Sequence, residues 1–346
     1  MKKFFVSIVL LFSGMLHAQD VHWSQPGGCL LYQNPAFTGI QNQYSFSLDY
    51  RNQWNAAGTR YQSYLVAGDY RLGKNAGEKN TFFSVGGLFF NDVSGDGNYR
   101  TTNAGLLFSC QVKTSEHWRM GAGAGFNFLA HAIQMNNFSW GSQFDGVDYN
   151  PSISSGENIS AYKNSAFDMN AGVSAGYTKN SGTLSSNDNV KLIFGYSLNH
   201  ITRPDIGFFG ESRLDLKHTL FASGNIGLKN KNVSLRPEVL VYRQGKQTEV
   251  TAGSLISFSF GEQSKVTGFK KGSFFSVGAL YRYNDAIIPA VQIESGIFIF
   301  GMSYDVNVSS LHISSHYRGG VEFNLVIVSL SNALSKNKAE ENTDNK

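Results

Sequence analysis

Apolar and polar residues alternate along much of this chain. In the first clear stretch, 43–51, the even positions are apolar, namely Tyr44, Phe46, Leu48 and Tyr50, and the odd positions are polar. A period of two is typical of a β-strand with one apolar face. We therefore predict a strand here, with its even positions on the apolar face.

Similar stretches recur to the end of the chain. We predict strands at 43–53, 60–71, 80–91, 100–113, 117–130, 166–178, 189–200, 217–228, 232–243, 247–260, 272–283, 286–294, 297–306 and 319–330. Many exceed the five or six residues of a typical soluble strand, and roughly nine to eleven residues suffice to cross a bilayer. Because the second face is rich in Gly, Ser, Asn and Thr, we predict an all-β fold with a single transmembrane antiparallel barrel of about 14 strands.

The predicted loops differ in length between the two ends of this barrel. Those after odd-numbered strands include the longest segments, 92–99, 131–165, 201–216 and 307–318. Those after even-numbered strands include tight turns near 113–116, 229–231 and 295–296, with medium loops at 72–79, 179–188 and 261–271. Outer-membrane barrels have short periplasmic turns and longer outer loops. The loop lengths therefore favour an outer-membrane barrel.

Composition supports a barrel in lipid. Only 16% of residues are charged, against about 25% in an ordinary soluble protein, while 14% are aromatic. No stretch reaches the roughly 18 apolar residues of a membrane-spanning helix. Alternation alone does not say which face is buried, so a secreted soluble β-sandwich or solenoid remains the alternative.

The first eighteen residues look like a targeting segment. Lys2 and Lys3 precede an apolar run from Phe4 to Phe12, and Ala18 supplies a small residue at a cleavage point. This is the pattern of a secretory signal peptide. We expect a signal peptide at 1–18, export to the outer membrane, and no nucleic-acid partner.

The remaining chain divides into three parts. Residues 43–330 are predicted to form the barrel, and 331–346 a polar C-terminal tail. The segment 19–42 is not strand-like, and its residues Trp23, Pro35 and Phe37 are too apolar for a free periplasmic tail. We therefore expect 19–42 to pack into, or plug, the periplasmic end of the lumen, with Trp23, Asn34, Pro35 and Phe37 as the plug residues.

Two of the long loops are rich in residues that occur at protein interfaces. Aromatic and arginine side chains are enriched in interface hot spots. The candidates for partner binding are Phe138, Trp140, Phe144, Arg203, Phe208, Phe209 and Arg213. The alternative is that these aromatic residues fold back and close the mouth of the barrel.

A few motifs resemble chemical sites. Gly172–Gly176 matches the nucleophile-elbow pattern, but the alternation continues through it, and an elbow needs a strand-to-helix turn. His312 and His316 are four apart but lie in a predicted loop without a carboxylate between them. The acidic loops 92–98 and 145–148 leave calcium binding open. No cofactor or catalytic residue is predicted.

Two sequence elements near the start of the mature chain are more specific. They are Asn34-Pro35-Ala36-Phe37-Thr38-Gly39 and Tyr50-Arg51-Asn52-Gln53-Trp54. Further matches follow in order along the chain, including Tyr281-Arg282, Tyr304-Asp305 and Gly319-Gly320-Val321-Glu322-Phe323. Together they resemble the PorP/SprF family of outer-membrane proteins in the Bacteroidetes type IX secretion and gliding machinery. One departure is Asp20-Val21-His22-Trp23-Ser24-Gln25, where the family usually has Asp-Pro-Xaa-Phe-Ser-Gln.

The resemblance implies a non-enzymatic accessory barrel without a cofactor. Such a barrel would assist the secretion or surface retention of an adhesin-like partner protein with a C-terminal sorting domain. Its other implied partners are components of the type IX secretion system and the lipid bilayer. The alternative function is an outer-membrane channel or a hydrophobic-solute transporter of the fatty-acid-transporter type.

Overall fold

The computed structural model describes residues 20–53, 61–73, 76, 79–95, 97–134, 138–156, 162–179, 189–208, 210–229, 232–260, 272–309 and 315–329. Within these ranges, fourteen strands form a closed barrel in which each strand pairs with its sequence neighbours. The barrel closes where β1 pairs with β14, and every pairing is antiparallel. The predicted fold class is confirmed.

The strands are β1 Tyr44–Gln53, β2 Tyr61–Arg71, β3 Thr81–Ser94, β4 Tyr99–Lys113, β5 Trp118–Ala132, β6 Lys163–Lys179, β7 Val190–Asn199, β8 Lys217–Gly227, β9 Val233–Gln244, β10 Gln247–Phe260, β11 Ser273–Arg282, β12 Ala286–Ser295, β13 Phe298–Asn307 and β14 Arg318–Val328. The predicted strand ends lie within three residues of these bounds. The period of two located the strands well because successive side chains of a strand point to opposite faces.

The barrel also decides which face is buried. In β1, Phe46 and Leu48 are exposed on the outer wall, whereas Ser47, Asp49 and Arg51 are buried inside. The same division holds in β4, where Leu106 and Phe108 are exposed. The apolar face therefore points outward, as a wall in contact with lipid requires.

The two ends of the barrel differ. The segments 133–162 and 200–216 connect strands at one end, which we call the loop end. At the other end, the turn end, connections such as 114–117 and 296–297 are short. By the usual asymmetry of outer-membrane barrels, the loop end is the extracellular face. In the part of the chain described above, no helix is long and apolar enough to cross a membrane.

Candidate functional site

The interior of the barrel contains the chain that precedes β1. Residues 20–42, which we call the lumen segment, form two 3-10 turns at Pro26–Gly28 and Pro35–Phe37 and a single helical turn at Leu30–Gln33. Trp23 and Phe37 are fully buried, as is Asn34. The lumen segment thus packs against the inward-facing side chains of the strands.

Two aromatic contacts show how the lumen segment packs. The ring of Trp23 lies edge-on to Phe90 of β3, with centroids 6.4 Å apart. The ring of Phe37 meets Phe221 of β8 in the same way at 5.6 Å. Edge-to-face pairs at such distances add to the free energy gained by burial. The aromatic residues therefore attach the segment to two separate parts of the wall, at β3 and β8.

The lumen segment runs along the length of the barrel. At the loop end, the Asp20 carboxylate contacts His200 Nε2 at 2.9 Å and Lys217 Nζ at 3.1 Å. At the turn end, Arg71 Nε donates to the Gly39 carbonyl at 2.6 Å, and the Gly39 amide donates to Asp69. The sequence predicted packing at the periplasmic end, whereas the contacts extend from one end to the other.

Asn34 anchors the middle of the segment. Its Oδ1 accepts from the Ala36 amide at 2.8 Å, which caps the Pro35–Phe37 turn. Its Nδ2 donates to the carbonyls of Val173 and Tyr196, at 3.0 and 3.2 Å. One side chain therefore orders the turn and ties it to β6 and β7, which suits an amide that both donates and accepts.

Glycines in the wall allow this close approach. A Cβ on Gly172 would lie 2.0 Å from Asn34 Oδ1, and one on Gly123 would lie 2.6 Å from the Ala36 nitrogen. A Cβ on Gly195 would lie 2.4 Å from the Phe37 ring. The strand glycines therefore form a groove that fits the Asn34–Phe37 turn.

The Gly172–Gly176 motif is part of this groove. It lies within β6, and its Ser174 Oγ donates to the Ala36 carbonyl at 3.1 Å. Gln111 Nε2 also donates to that carbonyl, at 2.7 Å. The serine of the motif thus binds the lumen segment instead of sitting on a nucleophile elbow.

A second set of contacts is ionic. Arg51 of β1 and Arg282 of β11 both pair with Asp305 of β13, at 2.7 and 3.0 Å, and Glu322 of β14 lies 3.7 Å from Arg51. We call Arg51, Arg282, Asp305 and Glu322 the lumen charge cluster. All four side chains are almost fully buried. Buried charges of this kind need partners, because leaving one unpaired is costly.

Ser24 of the lumen segment completes the charge cluster. Its amide donates to Glu322 at 2.6 Å, and its hydroxyl donates to Asp305 at 2.6 Å. Arg282 in turn donates to the Ser24 hydroxyl at 3.0 Å. The segment and four strands, β1, β11, β13 and β14, therefore share one network of hydrogen bonds and ion pairs in the barrel.

A separate cluster lies near the loop end. His200, which follows the last residue of β7, contacts Asp20 through Nε2 and Asp168 through Nδ1, at 2.9 and 2.8 Å. Burial lowers the pKa of His200, but the carboxylates of Asp20 and Asp168 outweigh it and raise that pKa to about 9. The imidazolium therefore links the start of the lumen segment to the wall at neutral pH.

Sequence reasoning did not assign a role to the charge cluster. Its members did appear in the motifs that resemble the family, such as Tyr50–Trp54 and Tyr304-Asp305. A usable signal was present, because Arg51 and Glu322 stand on the polar faces of predicted strands. Charged residues on an enclosed face must meet opposite charges. Their partners, however, are over two hundred residues away and were not identifiable from spacing.

The candidate loop residues lie in different settings. Phe138 and Trp140 are partly buried and pack together, with ring centroids 5.8 Å apart. Phe208 packs edge-on against Tyr99 at the start of β4, at 6.1 Å. Phe144, in contrast, is 57% exposed. Some of the aromatic residues thus fold back onto neighbours, while Phe144 faces outward.

The arginine candidates are also exposed. Arg203 pairs with Asp215 at 3.4 Å, and Arg213 pairs with Glu211. Phe209 lies outside the described residues. The described candidates therefore lie in two loops of the loop end, one after β5 and one after β7.

Phe144 belongs to a small exposed hairpin. Phe144 and Tyr149 form a β-bridge, and Asp145 Oδ1 accepts from the amides of Val147 and Asp148 at 2.9 Å each. These amide donors lower the pKa of Asp145. Val147 at the tip is 81% exposed. We call residues 144–149 the loop-end hairpin.

The acidic loops 92–98 and 145–148 are the sequence candidates for calcium binding. Among the described residues, no group of three or more His, Cys, Asp or Glu side chains is placed to hold a metal ion. Of the histidine pair considered above, His312 lies outside the described residues. Asp96 of the loop 92–98 also lies outside the described residues.

A match to a protein-family model identifies the family of this chain. The model of the type IX secretion system membrane protein PorP/SprF matches residues 16–326. No curated protein matches the chain significantly. Similar solved structures have low identity and are outer-membrane barrels or their translocator units.

Three examples give the extent of that structural likeness. CdiB from Acinetobacter baumannii is 9% identical with a TM-score of 0.41, over 82% of this chain and 60% of CdiB. BamA from Haemophilus ducreyi lacking POTRA domains 1–3 is 10% identical with a TM-score of 0.38, over 83% of this chain and 70% of that one. The translocator domain of the autotransporter NalP from Neisseria meningitidis is 8% identical with a TM-score of 0.31, over 82% and 86%.

Likeness at these TM-scores carries no functional argument, and the chain spans about 60% of the length of CdiB. The family match is different in extent, because it includes the lumen segment and almost every strand. This closed 14-stranded barrel is an outer-membrane protein and belongs to the PorP/SprF family of type IX secretion system membrane proteins.

Proposed function

We propose that the protein is an accessory barrel of the type IX secretion or gliding machinery that assists the secretion or surface retention of a partner protein. The proposal rests on one observation, that the lumen segment fills the barrel. Its contacts extend from Asp20 at the loop end to Gly39 at the turn end. A barrel filled by its own chain acts through its surfaces. The proposed partners are an adhesin-like protein with a C-terminal sorting domain and other type IX components.

The same segment argues against the alternative of a solute channel or fatty-acid-type transporter. An open path would require Ser24 to leave two buried carboxylates and Asn34 to leave two strand carbonyls. Exchanging each of these hydrogen bonds for one to water costs about 0.5–1.5 kcal/mol, and more where the acceptor is a carboxylate. The cost of opening therefore favours a lumen that stays filled.

A non-enzymatic role also fits the surroundings of the one serine motif. Ser174 contacts Gln111 and the Ala36 carbonyl, and no histidine is among its hydrogen-bond partners in the described part of the chain. His200 is instead held between two carboxylates. The family is one of secretion proteins and does not correspond to a known class of enzyme.

We assign partner contact to the loop-end hairpin, together with the exposed guanidinium groups of Arg203 and Arg213. Phe144, Val147 and Tyr149 expose apolar surface at the extracellular end. Such surface is usually buried by a partner when it is functional, and aromatic and arginine residues supply most hot spots. Phe138, Trp140 and Phe208 support the loops from beneath, since each packs against another aromatic ring.

The test changes only the exposed tip. Phe144→Ser combined with Val147→Ser should leave the barrel assembled, because neither side chain is buried. We expect the partner protein to be lost from the cell surface and recovered in the medium or degraded, as measured by surface labelling and immunoblotting.

Val308→Ser is the matched control. Val308 is an exposed apolar residue at the same end but follows β13. It should leave surface display unchanged. Normal surface display in the Phe144/Val147 variant would remove the hairpin from the mechanism, whereas loss in both variants would indicate a general defect of the loop end.

A further inference from the structure

The outer wall carries an unusual group of polar residues near the loop end of β4, β5 and β6. They form two rows across the three strands: Arg100, Ala132 and Lys163, then Thr102, Ala130 and Ser165. Arg100, Lys163 and Ser165 are exposed on the side that faces away from the lumen. Two cations and two hydroxyls thus flank a pair of alanines.

The alanines leave a recess between these side chains. Its volume is about 370 Å³, and the six residues line it together with their strand neighbours His131 and Asn164. Adjacent strands lie about 4.8 Å apart, so the Cα atoms of Arg100 and Lys163 are separated by roughly 10 Å. Both long side chains can therefore reach one group placed over Ala132.

No counter-ion for these cations lies among the described residues. Neither Arg100 nor Lys163 forms an ion pair there, although most other arginines near the loop end do, such as Arg203 and Arg213. Two like charges flanking one recess repel each other unless an anion lies between them. The recess is therefore complementary in charge to an anionic group.

The wall below the recess is apolar. Phe128 and Phe167 stand in the next row toward the turn end and pack together at 5.6 Å, and both are exposed on the outer wall. Leu106 extends the same surface. This places the cations where the hydrocarbon gives way to the headgroups of the outer leaflet.

We propose that this recess binds the phosphate of a phosphorylated lipid of the outer leaflet, with the acyl chains of that lipid along Phe128 and Phe167. Arg100 supplies a planar guanidinium that pairs with two phosphate oxygens, and Lys163 supplies a point charge. Ser165 can donate its hydroxyl from the row beneath, whereas the Thr102 hydroxyl donates to Asn91 Oδ1 at 3.2 Å. A bound lipid of this kind would fix the depth of the barrel in the outer leaflet, next to the loops proposed to hold a partner.

Arg243 serves as a control for Arg100, because it is an outward-facing arginine at a different place on the wall. It also faces outward near the loop end, on β9, but its neighbours across the strands are His218 and Thr248. Its Nε donates to the Gly245 carbonyl at 3.5 Å. A single arginine without a second cation extends to the interface for hydration alone.

The experiment measures lipid that stays with the purified protein. The full-length protein is extracted in mild detergent, and phosphorylated lipid is quantified by native mass spectrometry for wild type, R100Q/K163Q, Ala132→Leu and R243Q. We expect wild type and R243Q to retain the lipid. The double variant and Ala132→Leu, which fills the recess without changing charge, should each lose it at least about tenfold.

The outcomes separate the possible sources of the signal. Equal retention in all four proteins would overturn the proposal, and so would equal loss in R243Q and R100Q/K163Q. If wild type retained no lipid but bound inorganic phosphate, and R100Q/K163Q did not bind it, the site would be one for free phosphate and the lipid assignment would be wrong. If the Ala132→Leu variant fails to assemble, lipid retention by R100Q/K163Q alone tests the proposal, because its substitutions lie on the exposed outer surface.

Discussion

Asp305 illustrates how single residues stabilise the interior of this barrel. Its carboxylate binds two arginines of other strands and the Ser24 hydroxyl of the lumen segment. Removing one partner from a buried ion pair leaves an uncompensated charge. Removing one partner of an ion pair therefore lowers the free energy of unfolding much more inside the barrel than on its surface.

The first prediction compares Asp305→Asn with Glu211→Gln. The buried change should lower the free energy of unfolding by about 3–5 kcal/mol. The exposed change, which breaks the Arg213–Glu211 pair, should cost about 0–1 kcal/mol. Urea unfolding in detergent, followed by the loss of heat-modifiable gel mobility, measures both. Equal midpoints would mean that the cluster does not stabilise the barrel.

The second prediction concerns pH and His200. Its pKa is lowered by burial but raised overall, to about 9, by Asp20 and Asp168. A raised pKa stabilises the folded state fully below the unfolded value of about 6.5, and this contribution disappears as pH rises through 9. The stability difference between wild type and His200→Gln should therefore shrink from pH 6.5 to 9.5. A difference independent of pH would contradict a charged His200.

At the scale of elements, the glycines of β5, β6 and β7 matter because of what lies against them. Gly123 and Gly172 have no conformational need for glycine in an extended strand. Their value lies in the space that a missing Cβ leaves for Asn34 and Ala36. Strand and lumen segment are thus fitted to each other.

The third prediction compares Gly123→Ala with Gly176→Ala, two inward-facing positions. A Cβ on Gly123 would lie 2.6 Å from the Ala36 nitrogen, whereas one on Gly176 would have no neighbour nearer than 3.9 Å. Overpacking should destabilise the Gly123 variant by about 1–3 kcal/mol and loosen the segment. Protease cleavage within residues 20–42 of the folded protein measures that loosening. Equal resistance of both variants would show that the groove can relax.

At the scale of the whole molecule, the barrel and the lumen segment form one packed unit. The segment contacts strands around the circumference, from Asp69 on β2 to Glu322 on β14. Its start lies beside His200 at the loop end, and its last residues lead into β1 at the turn end. The interior of the barrel is therefore a core made partly of its own N-terminal chain.

The fourth prediction is that this core blocks conduction. The intact protein in a planar bilayer should pass little current, and deletion of residues 20–38 should produce large, steady conductance if the shortened barrel assembles. Heat-modifiable gel mobility checks that assembly. Large steady currents through the intact protein would contradict the filled lumen and favour the transporter alternative.

The sequence by itself determined the strands, their number and their loop lengths. Alternation is a local property, so the positions of Phe46 and Leu48 predict an apolar strand face without reference to any distant residue. The family motifs and the apolar character of Trp23 and Phe37 also marked the N-terminal segment as something other than a free tail.

Only the tertiary structure decided which residues contact one another inside the barrel. Arg51 and Asp305 are 254 positions apart, and no local pattern relates them. The path of the lumen segment depends on contacts with many strands at once, which is why the sequence suggested one end of the barrel and the contacts span its length. The outward cations Arg100 and Lys163 become neighbours of one recess only because the register of β4, β5 and β6 places them in the same row.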